Sequence, residues 1–143
     1  GWRLAMTEIG TRGQVAALFG DVDWLVLDEI VAADHDPGAD DDDAPAPDDA
    51  DRLARPGPLL ASARAARDRA GTHVGLAVRA RERGPDTTVS VAVVTPDHEQ
   101  TERRIAFLGG SLGRSRAALT TAAILLTALR AVVAGDHSPR DDA

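Results

Sequence analysis

Thr7-Glu8-Ile9-Gly10-Thr11-Arg12-Gly13 places a carboxylate, two hydroxyls, a guanidinium and two glycines in one short run near the N-terminus. Residues 2–6 before it, apolar around Arg3, have the character of a short strand, and the residues after it have helical spacing. A strand that turns into a helix is the right place for a substrate pocket. Backbone amides at a helix start attract phosphate, and Arg12 beside them would either strengthen such an anion site or block it. Glu8, Thr11, Arg12 and Gly13 are therefore the first candidates for ligand binding. The competing structural reading is that Glu8 and Thr11 cap the first helix, with Thr7 at the N-cap.

Other constellations are weaker. Ser111, His98 and Asp97 are the residue types of a hydrolytic triad, but no Gly-x-Ser-x-Gly elbow surrounds any serine. Gly109-Gly110-Ser111-Leu112-Gly113-Arg114 is glycine-rich ahead of a helix, yet it lacks the lysine of a Walker loop. It reads as a capping turn, or as a phosphate contact through Ser111 and Arg114. His35, His73, His98 and His137 are scattered without ligand spacing, and no metal site is expected. Asp40 to Asp43 are acidic enough for a hard cation but lack the alternating ligands and turn glycine of an EF-hand.

The elements that would position these groups follow from periodicity. After a strand over residues 2–6, a helix is expected over about 11–19, with Gly20 as its stop. Residues 23–33 carry Trp24, Leu25, Val26, Leu27, Ile30 and Val31 and predict a buried strand. Residues 34–51 change to Asp, Ala, Pro and Gly, a composition that predicts a solvated, disordered acidic loop. Helical order resumes over 58–70. Three strands then follow, marked by the alternation of Val74, Leu76 and Val78, then of Val89, Val91 and Val93, and by Ile105 with Phe107. Thr95-Pro96-Asp97-His98 has the composition of a hairpin turn. A final helix over about 115–134 is apolar around much of its circumference, as an element packed on a sheet, and on a partner subunit, would be.

This order predicts an α/β fold, a three-layer α/β/α sandwich with a mixed central sheet, as one domain over residues 1–135 with a polar tail at 136–143. At 143 residues, such a domain buries a core without metals or disulfides. With no Cys, no Tyr, two Trp and two Phe, that core must be built from Ala, Val, Leu and Ile. The absence of Cys excludes thiol chemistry and fits a cytoplasmic location. All 16 basic residues are Arg, so no lysine serves as a proton-shuttling base. A net charge of -7 argues against a nucleic-acid partner. The last helix contains Thr120, Thr121, Thr127 and Arg130 and reads as a core helix, so no membrane partner is expected. The chain does not begin at an initiator Met, which leaves a removed leader open.

Taken in order, these segments resemble the CinA C-terminal domain family, the nicotinamide-mononucleotide amidases. Leu4 to Gly13 is similar to the family's opening strand and Glu-Ser-x-Thr-Gly-Gly turn, Gly75-Leu76-Ala77-Val78 to its Gly-Leu-Ala-Val strand, and Val91 to Asp97 to a later strand and turn. The resemblance implies a pocket for a pyridine nucleotide, no cofactor, and a homo-oligomer. It also aligns Gly110 and Arg116 with a glycine and an arginine of the family, adding Arg116 to the ligand-binding candidates.

The chain departs from the family where chemistry is done. Ile9 stands at the serine position, Ala33 to Gly38 replace Tyr-Ser-Asn-x-x-Lys, and Arg79 to Pro85 replace Thr-Gly-Ile-Ala-Gly-Pro. A hydrocarbon cannot attack a carbonyl. The expectation is a domain without amidase activity, a pseudoenzyme with a structural, assembly or ligand-binding role. One alternative is an active amidohydrolase with a rearranged site, with Glu8 polarising water and Thr11 as donor or nucleophile. Another is an interaction module acting through the acidic loop.

Overall fold

A computed structural model describes residues 1–32 and 57–136. The expected acidic loop and residues 137–143 of the expected tail lie outside the described residues. Among the described residues, eight elements follow in order: β1 (Leu4–Ile9), α1 (Gln14–Phe19), β2 (Leu25–Val31), α2 (Pro58–Ala70), β3 (Val74–Arg83), β4 (Asp86–Val94), β5 (Glu99–Ala106) and α3 (Gly110–Asp136). The five strands form one sheet in the order β2-β1-β3-β4-β5. β1 pairs parallel with β2 and with β3, whereas β3, β4 and β5 form an antiparallel meander. The expected α/β architecture with a mixed sheet is the one observed.

Alternation along the strands divides the core between the two faces of the sheet. Leu4, Met6, Leu76, Val78, Val89, Val91 and Val93 pack under α1 and α3 with Ala117, Ile124, Leu125 and Ala128. Ile9, Ala77, Ala92 and Val94 pack under α2 with Leu59 and Ala63. These small side chains let the helices approach closely. A Cβ on Gly75 would lie 2.1 Å from the Ala63 carbonyl oxygen, and one on Gly113 would lie 2.4 Å from that of Leu108. Both glycines are fixed by contact rather than by turn geometry.

Several boundaries differ from expectation. β1 starts at Leu4 and continues through Thr7 and Glu8 to Ile9, because pairing with β2 and β3 on both sides extends it. Thr7 is thus a strand residue, and the N-cap of α1 is Gly13. The run over 23–33 forms a strand, but an edge strand, with Val26 and Ile30 exposed. β-branched composition specifies the extended backbone and is silent about position in the sheet. β3 and β4 reach further than the apolar alternation, joined at Gly84 in a left-handed conformation (φ 59°). The Thr95 to His98 turn forms as expected, with the Thr95 amide donating to the His98 carbonyl (2.8 Å) and the His98 amide to the Thr95 hydroxyl (3.0 Å).

The contact at Gly75 generates a test. Gly75→Ala should force α2 away from β3 and cost about 1–3 kcal/mol, by the usual penalty for overpacking. Urea unfolding that gives the variant the midpoint and slope of the parent would refute the close-approach assignment.

Candidate functional site

Glu8 is fully buried at the sheet face beneath α1. Its carboxylate accepts hydrogen bonds from the Thr11 hydroxyl, the Val15 amide (3.0 Å) and the Ala16 amide (2.7 Å). A strand residue thereby caps a six-residue helix whose own N-cap, Gly13, has no side chain to do so. The amides that the sequence offered to a phosphate are occupied by the protein's own carboxylate. Thr11 is also fully enclosed and donates to Glu8. The pair has the connectivity of a base and a nucleophile, but neither reaches solvent.

Asp28, on β2, completes a carboxyl pair that sequence reading missed. It is partly buried, and its Oδ1 has no hydrogen-bond partner. Burial first, then the neighbouring Glu8 charge and a hydrogen bond to Glu8, push the Asp28 carboxyl up to about 6 from an ordinary value of 3.8. The available signal was the pair of acids Asp28-Glu29 in the middle of an otherwise apolar run, Leu25 to Val31.

The turn between β1 and α1 is backbone-strained. Gly10 (φ 74°), Arg12 (φ 55°) and Gly13 (φ 77°) are all left-handed, and Arg12 is the one non-glycine residue with positive φ among the described residues. An L side chain in that region costs on the order of 1 kcal/mol. A Cβ on Gly13 would lie 3.0 Å from Ile30 Cδ1. The strained turn holds the exposed Arg12 against a crevice of about 540 Å³ formed with Gly10, Ala32, Ala80, Arg81, Glu82 and Arg114. Gly10 and Ala32 follow the carboxyl ends of β1 and β2, and Ala80 to Glu82 lie at the same end of β3. In open α/β sheets ligands bind in the crevice outside the carboxyl ends of the strands.

Three guanidiniums and one carboxylate line this crevice, and Arg114 pairs with Glu82 at 3.1 Å. The local charge is positive on a chain of net charge -7. Arg12 and Gly13 are brought to this region, and Thr11 lies beneath it. Arg116 is not part of it. It lines a different groove, between α3 and β5, with Glu102, Arg104 and Thr120. Two residues along a helix turn a side chain about 200° around the axis, so Arg114 rather than Arg116 faces the crevice. Ser111 lies in the first turn of α3, whereas Asp97 and His98 share a depression with Ala131 and Val132 near its other end, about 30 Å along the helix. No triad forms. Among the described residues no group of three or more His, Asp or Glu is placed to hold a metal ion.

No protein-family model matches the chain, and no match among curated proteins reaches significance. Solved structures do match. A CinA superfamily protein from Enterobacter cloacae superposes with a TM-score of 0.62 at 22% identity, over 90% of this chain and 83% of that one. A competence or damage-inducible protein from Enterobacter asburiae gives 0.59 at 23%, over 90% and 88%. The competence damage-inducible protein A of Klebsiella pneumoniae subsp. pneumoniae gives 0.57 at 21%, over 91% and 88%. The chain has the fold of the CinA superfamily proteins, over nearly the whole of its length and most of theirs.

The carboxyl pair predicts a pH dependence. The native state holds the Asp28 proton to higher pH than the unfolded chain, so between about pH 4 and 6 it binds more protons and stability falls as pH rises. Asp28→Asn, which keeps a donor toward Glu8, should therefore stabilise the protein above pH 6 and leave it unchanged below pH 4. Partial exposure limits the gain to on the order of 1 kcal/mol. Thermal melts across pH 3–8 read it directly, and a gain of the same size at every pH would exclude the shared-proton account.

Proposed function

We propose that this chain is a divergent CinA-type domain without amidase chemistry that binds an anionic ligand, of the phosphate-bearing pyridine-nucleotide class, in the crevice of Arg12, Arg81 and Arg114. One observation carries the proposal: the crevice at the strand ends is lined by guanidiniums and, among its lining residues, by no hydroxyl, thiol, imidazole or amine. Arginine remains charged at all accessible pH and presents forked donors that match phosphate oxygens. It binds and orients, and it does not remove protons. Glu82, the crevice carboxylate, is engaged with Arg114, and Glu8 and Thr11 are held beneath the surface by each other and by α1. Ile9, at the serine position of the resembled turn, is buried against α2 on the far face of the sheet.

The competing reading, an active amidohydrolase working through Glu8 and Thr11, rests on their hydrogen bond. Activity by that route requires the start of α1 to open, breaking two amide contacts to Glu8. Separate roles in assembly, or in interaction through the acidic segment 34–51, are compatible with the fold and are distinguished by the same assay.

Calorimetry with nicotinamide mononucleotide, with ammonia followed on the same sample, tests the proposal. The expected result is binding without ammonia, weakened about fivefold by Arg12→Ala and by Arg114→Ala, as for loss of one solvent-exposed charge contact worth about 1 kcal/mol. Ammonia release abolished by Thr11→Ala or Glu8→Gln would establish the amidase instead. Absence of both signals would remove the nucleotide and leave the assembly or interaction role.

A further inference from the structure

The chain has two Trp, two Phe and no Tyr, and both Trp and one Phe gather at one place. Trp2 and Trp24 line a cavity of about 220 Å³ at the amino ends of β1 and β3, with α3 as its wall. Its floor is Leu4, Val74 and Leu125, all buried, and Leu129 is half-buried beside them. The exposed members of the lining are Trp2, Arg3 and Trp24, so the mouth lies at the indoles. Neither ring stands alone. Trp24 packs on Phe19 with centroids 5.3 Å apart and planes at 60°, and Trp2 stacks on His73 at 6.1 Å and 7°. Each indole is braced by a second ring and is held as a flat wall.

The polar groups around this cavity are already engaged. The Leu4 amide donates to the Trp24 carbonyl (2.8 Å), the His73 and Val74 amides donate to the Arg3 carbonyl (3.1 and 3.0 Å), and the Arg3 amide donates to His73 Nδ1 (3.2 Å). The surface left facing the space is almost wholly carbon. A bound water needs two to four polar partners, and an apolar cavity without them stays dry. Sugars, phosphates and amides would give up hydration there and gain no replacement. An apolar ring has no such loss and gains the whole lining.

Volume and wall shape narrow the ligand further. An apolar cavity of about 150 Å³ accepts benzene, and drug-sized ligands occupy roughly 300–1,000 Å³. The space between Trp2 and Trp24 falls between these limits, with room for two fused rings. Flat aromatic walls favour a flat guest, because stacked and edge-to-face ring pairs add to what area burial alone supplies. We infer that this cavity binds a small, uncharged, planar aromatic molecule of one or two fused rings, of indole or naphthalene size. The site is separate from the arginine crevice, which lies outside the carboxyl ends of the same strands, about 20 Å away along β1. The two select opposite chemistry, an anionic group at one and a carbon ring at the other. The inference therefore stands or falls independently of the nucleotide reading.

Titration of the full chain with 5-fluoroindole, followed by fluorine NMR, tests the site. The expected result is a saturable shift with a Kd below about 1 mM, in keeping with a ligand of so few atoms. Leu129→Phe fills the cavity and should weaken binding about tenfold or more, and Trp2→Ala removes one wall and should weaken it about fivefold. Trp2 is exposed and precedes β1, so its replacement keeps the test intact even where Leu129→Phe unfolds, and thermal melts check both. Both Trp line the site and the chain has no Tyr, so saturating benzene should also reduce acrylamide quenching of the Trp emission. No saturation up to about 5 mM, or an affinity unchanged in both variants, would overturn the inference. Displacement of the probe by nicotinamide mononucleotide would place it in the arginine crevice, and equal affinity for cyclohexylmethanol would remove the selection for a planar ring. Either result also overturns it.

Discussion

A buried carboxylate holds the start of this fold together. Helix α1 has six residues, too few to be stable by propagation of its own hydrogen bonds. Glu8 supplies what the short helix lacks by accepting two of its first amides and the Thr11 hydroxyl from a position inside the sheet. Burying a charge without partners would be prohibitive, so the arrangement holds only while all three donors remain in place. Removing the carboxylate would orphan the donors, and removing the helix would orphan the carboxylate. The strand, the turn and the helix are therefore one cooperative unit. Everything that depends on the turn depends on that acid, including the left-handed Arg12 that faces the crevice.

The same interaction decides what the site can do. A helix start is an anion site when its amides point to solvent. Here the negative charge already sits there, supplied from within, and the crevice in front of the turn is lined by the side chains of Arg12, Arg81 and Arg114. Asp28 tightens the constraint, because a second carboxyl against Glu8 has to retain its proton or bear the repulsion. The space behind the turn is consequently acidic and closed, and the space in front of it is basic and open. Chemistry that needs a mobile proton and chemistry that needs a bound anion are separated by one layer of backbone.

Much of the fold was legible because its signals are local. Gly71 ends α2 in the left-handed conformation and Thr95 to His98 closes a hairpin, both by turn chemistry that a sequence displays directly. The alternation of Val89, Val91 and Val93 gave a strand for the same reason. What failed to show was set by distant partners. Thr7 is a strand residue because β2 and β3 pair on either side of it, and residues 23–33 form an edge because of the order in which strands assemble. The site followed the same division. Glu8, Thr11, Arg12 and Gly13 are neighbours in sequence, so their region was readable. Asp28 and Arg81 reach it from other strands, and the choice between Arg114 and Arg116 is a helical phase that required the register of α3 on the sheet.

That phase has a wider consequence, because a single helix is asked to serve two surfaces. Gly113 and Ala117 let α3 settle onto β4, with the glycine against Thr87 and Leu108, and the row that begins at Leu112 points the other way. Thr121 and Thr127 return their hydroxyls to the Ala117 and Ala123 carbonyls (2.8 and 3.0 Å), which removes their polarity from both surfaces. An apolar helix with so few unsatisfied polar groups gains little from water on its outer side. The domain buries the Ala117, Thr121, Ile124 and Ala128 side of α3 by folding and leaves the row from Leu112 to Val133 exposed. Arg114 lies two residues past Leu112, so the one register of α3 on the sheet fixes both which arginine reaches the crevice and which side chains face outward.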